Sequence, residues 1–107
     1  MINEKIKRLI QSDKMNSVAV TINNLKDIYE IFGLHGRDDA MQTVNDCINM
    51  VFKEIGTCHR LSDSEFLCLS KEDIRGYVSQ LRDNIGFVVV NKAYQLDISV
   101  GYKMYAG

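Results

Sequence analysis

Across residues 38–55 the apolar side chains Met41, Val44, Ile48, Val51, Phe52 and Ile55 recur at the spacing of one helix face. On either side of that helix the period changes to two. Val18, Val20 and Ile22 alternate with smaller residues over 17–23, and Leu96, Ile98, Val100, Tyr102 and Met104 alternate with Asp97, Ser99, Gly101 and Lys103. A long amphipathic helix held between half-buried strands confines the chain to mixed α+β architectures.

The remaining segments complete the order. Residues 1–13 place Ile2, Ile6, Leu9 and Ile10 on one helical stripe, which needs a surface to cover it. Leu25, Ile28, Ile31 and Phe32 begin a helix that "FGLHG" interrupts, Gly33 and Gly36 being suited to backbone conformations other residues resist. Gly56 is expected to stop the 38–55 helix. A hairpin follows, "TCHRL" and "EFLCL" around a polar turn. Ser70 with Asp73 has the spacing of a capping box opening a helix over 71–85, with Ile74, Tyr77, Val78, Leu81 and Ile85 on its buried face. "FVVV" is read as a strand, and Tyr102 as a core residue because it shares a face with Leu96, Ile98 and Val100. The order is βαββαβ, a ferredoxin-like or palm-type α+β sheet with helices packed on one face.

Composition narrows the function. With 107 residues and 46% hydrophobic content, the chain is expected to be a single domain over 1–107; it has no proline, repeat or low-complexity stretch to mark a boundary. Thirteen basic and fourteen acidic residues, well mixed, give a net charge of −1 and no electrostatic footprint for nucleic acid or an anionic membrane. The chain shows no signal-peptide order and no apolar run near the ~18 residues that span a bilayer, so a cytoplasmic protein without membrane insertion is expected. Cys47, Cys58 and Cys68 lack C-x-x-C spacing and read as reduced core residues with nothing nearby to lower a thiol pKa. His35 and His59 have no partners at ligand spacing.

The turn of the hairpin, Ser62, Asp63, Ser64 and Glu65, is unusually polar. Ser and Asp satisfy backbone groups in turns, which is one sufficient reason. A second comes from three stretches taken together. "INNLKDIYEIFGLHGRDDAM" resembles D-x-D-x-F-K-x-I-N-D-x-Y-G-H-x-x-G-D-x-x-L, "RLSDSEFLCL" resembles R-x-G-G-D-E-F followed by an apolar strand, and "LDISVGY" is similar to a closing T-x-S-x-G strand. These are the motifs of the GGDEF domain family of diguanylate cyclases, in order and on the expected elements. The match is truncated at both ends, without the D-x-L-T-G-L-x-N-R opening or the closing Y-x-x-A-D helix.

The resemblance implies condensation of two GTP molecules to cyclic di-GMP across a dimer, with divalent metal held by carboxylates and substrate phosphates. The family's first metal-binding aspartate falls on Thr21 and the second acid of that motif on Asn23. The two glycines of the turn fall on Ser62 and Asp63 and its aspartate on Ser64, while Glu65 and Phe66 match. Asp63 would set a carboxylate beside phosphates, a repulsive arrangement. The guanine-reading asparagine falls on Tyr29, its aspartate partner is matched by Asp38, and the lysine by Lys26. The product-inhibition motif R-x-x-D falls on "KEIG", without its carboxylate. A one-residue slip placing Asp63 at the lost aspartate would turn Phe66, Leu67 and Leu69 to the wrong faces.

The expectation is therefore a catalytically inactive GGDEF-like regulatory or interaction module in cyclic di-GMP signalling. Its candidate nucleotide-binding residues are Asn23, Lys26, Asp38, Ser62, Asp63, Ser64 and Glu65, and GTP is the ligand implied. No metal or other cofactor is expected, except Mg²⁺ accompanying a bound nucleotide. Its partners would be a second copy or a signalling protein such as an EAL-type phosphodiesterase. Simpler explanations stand beside the site residues: Glu65 and Lys26 as solvated side chains, and Asp38 as an acid at a helix N-terminus. The alternatives in function are a weak cyclase or other GTP-processing enzyme using Glu65 and Asp63, and a purely structural oligomerisation domain.

Overall fold

The computed structural model describes residues 4–12, 14–85, 89–90 and 94–105. In chain order the elements are α1 (Glu4–Ser12), β1 (Asn16–Ile22), α2 (Leu25–Phe52), β2 (Gly56–Arg60), β3 (Glu65–Ser70), α3 (Arg75–Ile85), β4 (Val89–Val90), β5 (Tyr94–Gln95) and β6 (Ile98–Lys103). The sheet runs β2-β3-β1-β6, antiparallel at every pairing, and β4 with β5 makes a separate two-stranded ribbon. This is the expected βαββαβ architecture, with β1 central and β6 as the fourth strand. The hairpin keeps the unslipped register, Thr21 opposite Glu65 and Val20 opposite Phe66.

Alternation in β1 decides the main core. Val18, Val20 and Ile22 point to one face beside Phe66 and Cys68, where Ile28, Val44, Ile48 and Phe52 of α2 and Val78 and Leu81 of α3 cover them. Each such side chain stabilises the fold by roughly 1.5–3 kcal/mol relative to exposure. Cys47 and Cys58 pack against this cluster, and all three cysteines are free thiols.

The opposite face of β3 is also apolar, and there the expectation of helices on one face is corrected. Ile6 of α1 is buried against Leu67 and Leu69, with Ile10, Met15 and Leu61 around them. A strand reading Phe-Leu-Cys-Leu is buried on both faces and needs cover on both. α1 ends by a left-handed residue, Lys14 (φ 55°), and the Met15 N–H donates to the Ile10 carbonyl at 3.0 Å. That is the bond of a Schellman stop, and it delivers the chain directly into β1. Ile2 of the expected stripe lies outside the described residues.

Other details depart from the sequence reading for local reasons. Gly56 opens β2 rather than stopping α2, which ends at Phe52; a Cβ at residue 56 would lie 1.9 Å from the Leu69 carbonyl oxygen, so glycine is needed for strand contact. The capping box at Ser70 does not form. Ser70 Oγ instead donates to the Ile55 carbonyl (2.6 Å) and accepts the Glu72 N–H (3.0 Å), and Asp73 accepts the Arg75 N–H (3.2 Å) where α3 begins. Ile31 is exposed, and so is Tyr102, which lies on the edge strand β6. The 94–104 strand is split at Leu96 and Asp97, since Asp97 uses its backbone to bond Asn23 and Asn24. Of "FVVV", Val89 and Val90 form β4, and Phe87 and Val88 lie outside the described residues.

Candidate functional site

The site begins with a break in α2. Gly33 has φ 74° and ψ −164°, a conformation essentially restricted to glycine, and it separates two helical arms. In an unbroken helix residues 29 and 37 would stand about 12 Å apart along the axis. The break instead brings the Arg37 guanidinium to 5.6 Å from the centre of the Tyr29 ring, within cation–π range. Gly36 is not a second break: it is buried in regular helix, where a Cβ would overlap the Phe32 side chain.

Beside this break an open cleft of about 340 Å³ forms between the end of β1, the first arm of α2 and the β2–β3 turn. Ile22 and Leu25 give it an apolar wall; Asn23, Lys26, Tyr29, Arg37, Asp63 and Ser64 supply the polar one. The turn is tied down on both sides. The Ile22 N–H donates to the Ser64 carbonyl (2.8 Å), and the Leu61 N–H donates to the Glu65 carbonyl (2.9 Å). The Asn23 side chain donates to Ser99 Oγ (2.8 Å) and its N–H to the Asp97 carbonyl (2.7 Å), so β6 fixes the floor of the cleft.

Two arginines meet at the turn. Arg60 reaches Asp63 Oδ1 at 2.9 Å and donates through Nε to the Ser62 carbonyl at 3.2 Å. Arg37 stands 3.7 Å from Asp63 Oδ2 and 3.6 Å from Asp38 Oδ1. Ser62 Oγ donates to Glu65 Oε1 at 3.0 Å. Of the residues singled out from sequence, Asn23, Lys26, Asp63 and Ser64 line one cleft. Asp38 lies in an adjoining hollow with Met41, Gln42, Asn45, Arg60 and Phe66, and Ser62 and Glu65 bond each other within the turn. Asp38 does not begin a helix, since the second arm of α2 is already under way after Gly33.

Arg37 is the residue sequence reasoning missed. The quoted motif has glycine immediately before the guanine-reading aspartate, and arginine stands there in this chain. That departure was the available signal.

The donors around the turn do not fit a metal held by two carboxylates. Thr21 and Ser64 offer hydroxyls, the Glu65 carboxylate takes the Ser62 hydroxyl, and Asp63 is paired with arginine. Among the described residues no three His, Cys, Asp or Glu side chains converge as metal ligands. His59 bonds Thr57 at 3.1 Å. One expectation about the thiols is corrected: Cys68 donates to Cys58 across the β2–β3 pair (3.3 Å), which lowers the Cys58 pKa and raises that of Cys68.

Set against known proteins, no family model and no curated sequence matches the chain. Solved structures do. The active GGEEF domain of a diguanylate cyclase from Vibrio cholerae superposes with a TM-score of 0.73 at 16% identity, over 91% of this chain and 66% of that one. The GGDEF domain of DgcB from Caulobacter crescentus, solved in complex with c-di-GMP, gives 0.72 at 13% identity over 92% and 65%. The diguanylate cyclase SiaD from Pseudomonas aeruginosa, solved with its activator SiaC, gives 0.69 at 16% over 97% and 44%. The chain thus spans about two thirds of the length of the first two and less than half of the third. Its fold is that of the GGDEF domain. Among the described residues no helix is long and apolar enough to cross a membrane.

Proposed function

We propose that this chain is a catalytically inactive GGDEF-like domain, a regulatory or interaction module in cyclic di-GMP signalling that takes GTP without turning it over. The observation that carries this reading is the chemistry at the paired ends of β1 and β3. Thr21, opposite Glu65 in the sheet, and Ser64, whose carbonyl accepts from Ile22, stand where the family resemblance places metal-binding acids. Phosphoryl transfer depends on positioning and on cations that neutralise the transferred group, and neutral hydroxyls bring none of the negative charge that a pair of carboxylates gives to Mg²⁺. The neighbouring side chains Val20, Ile22 and Phe66 are buried, so the substitutions fall on the chemistry and not on the scaffold.

The same geometry counts against a weak cyclase built on the remaining acids. Asp63 faces two arginines, whose charge disfavours a metal cation beside it, and Glu65 is left as a single carboxylate bonded to Ser62 Oγ. A module of this kind acts through contacts, either with a second copy or with a signalling protein such as an EAL-type phosphodiesterase; the SiaD structure, solved with an activator, is an instance of a cyclase engaged by another protein. The test is prolonged incubation of the purified protein with GTP and Mg²⁺ or Mn²⁺, followed by chromatography of the nucleotides. The expected result is an intact GTP pool. Accumulation of cyclic di-GMP or another GTP product would overturn the reading.

A further inference from the structure

We infer that Asp63 is an internal anion: its carboxylate stands where the cleft meets the adjoining hollow, held by Arg37 of the first and Arg60 of the second, and a phosphate-anhydride ligand binds by displacing it from both. This rests on the reading of the cleft as a nucleotide site and adds how that site is regulated.

The two oxygens of one carboxylate each take one guanidinium, Oδ1 from Arg60 and Oδ2 from Arg37. Planar guanidinium groups that converge in this way suit carboxylates and phosphates alike, so the arrangement that holds Asp63 is one a phosphate could use. Arg60 is also anchored on the Ser62 carbonyl (3.2 Å), and Arg37 on the Tyr29 ring (5.6 Å) and Asp38 (3.6 Å). Arg37 keeps one buried donor, Nε, without a hydrogen-bond partner among the described residues. Lys26 lines the same cleft and makes no ion pair among them.

The Asp63 side chain is 64% exposed, so it can swing into solvent without opening the core. An exposed pair of this kind is weak and screened, which makes it a displaceable occupant and not a permanent plug. The cations would therefore remain in place while the internal carboxylate and the incoming polyanion compete for them. The resemblance places glycine at residue 63, which would carry no such competitor.

The experiment is calorimetric titration of the whole chain with inorganic triphosphate in EDTA, so that neither metal nor a base contributes. Wild type, Asp63→Asn and the double variant Asp63→Asn/Arg37→Gln are compared at low and at physiological salt. Asp63→Asn should bind about tenfold more tightly than wild type, because an ion-pair competitor and a like charge are both removed. Arg37→Gln in that background should cancel the gain, and added salt should shrink it. Equal or weaker binding by Asp63→Asn overturns the inference, as does absence of binding by both proteins or a gain that survives Arg37→Gln. Thermal melts verify that each variant is folded. The result is separable from the turnover assay: GTP consumption would remove the inactive reading and leave the competitor standing, whereas an unchanged triphosphate affinity does the reverse.

Discussion

Replacing Gly33 by alanine tests the break that builds the cleft. At φ 74° and ψ −164° the residue lies in a region essentially reserved for glycine, and a Cβ there would meet no atom within 4 Å. The penalty is therefore backbone strain alone, about 1–3 kcal/mol. Alanine also narrows the unfolded ensemble, which offsets this by about 0.4–1 kcal/mol. A net loss of roughly 1–2 kcal/mol follows from the two terms. With a urea dependence of about 1.5 kcal/mol per molar, the denaturation midpoint should fall by about 1 M in unfolding followed by circular dichroism. A midpoint equal to or above that of wild type would refute the reasoning. Residue 33 would then tolerate ordinary helical geometry, and the approach of Arg37 to Tyr29 would lose its cause.

Two further outcomes follow from polar groups away from the cleft. Ser70 is buried and joins the Ile55 carbonyl to the Glu72 N–H, so Ser70→Ala should cost about 1–3 kcal/mol and lower the thermal midpoint by about 4–13 °C; an unchanged midpoint would show that these bonds contribute nothing. The Arg75 side chain beside Asp73 (2.6 Å) holds that carboxyl down to about 2 from its ordinary 3.8, so its stabilising contribution is complete above the ordinary value and is lost as pH falls through about 2. An NMR titration of the Asp73 carboxyl should move up toward 3.8 in Arg75→Gln, and an unmoved midpoint would contradict the assignment.

Much of the fold was legible because β1 and β6 declare a face by alternation and α2 declares its stripe. A slip of one residue in the hairpin would have turned Phe66 away from the main core, and the register rejects it. The side on which α1 lies was not read, although the apolar run Phe66 to Leu69 carried the information: adjacent side chains point to opposite faces, and all four are buried. Tyr102 shares its face with Val18 yet is exposed, since alternation gives a direction and says nothing of what covers it. The candidate site was legible as a set of substitutions, Thr21, Asp63 and Ser64 among them. What was hidden is the part made by distance. Arg37 and Arg60 are far from adjacent in sequence, and only the break at Gly33 and the β2–β3 hairpin bring both to Asp63.

The central claim is that the GGDEF fold is retained here while its metal chemistry is not. The most direct test is paramagnetic broadening by Mn²⁺ in the absence of nucleotide, read on the backbone amides of Thr21, Ser64 and Glu65. The account predicts no selective loss of those three signals relative to other exposed amides. Their selective disappearance at low Mn²⁺ would place a metal between β1 and the turn and contradict it.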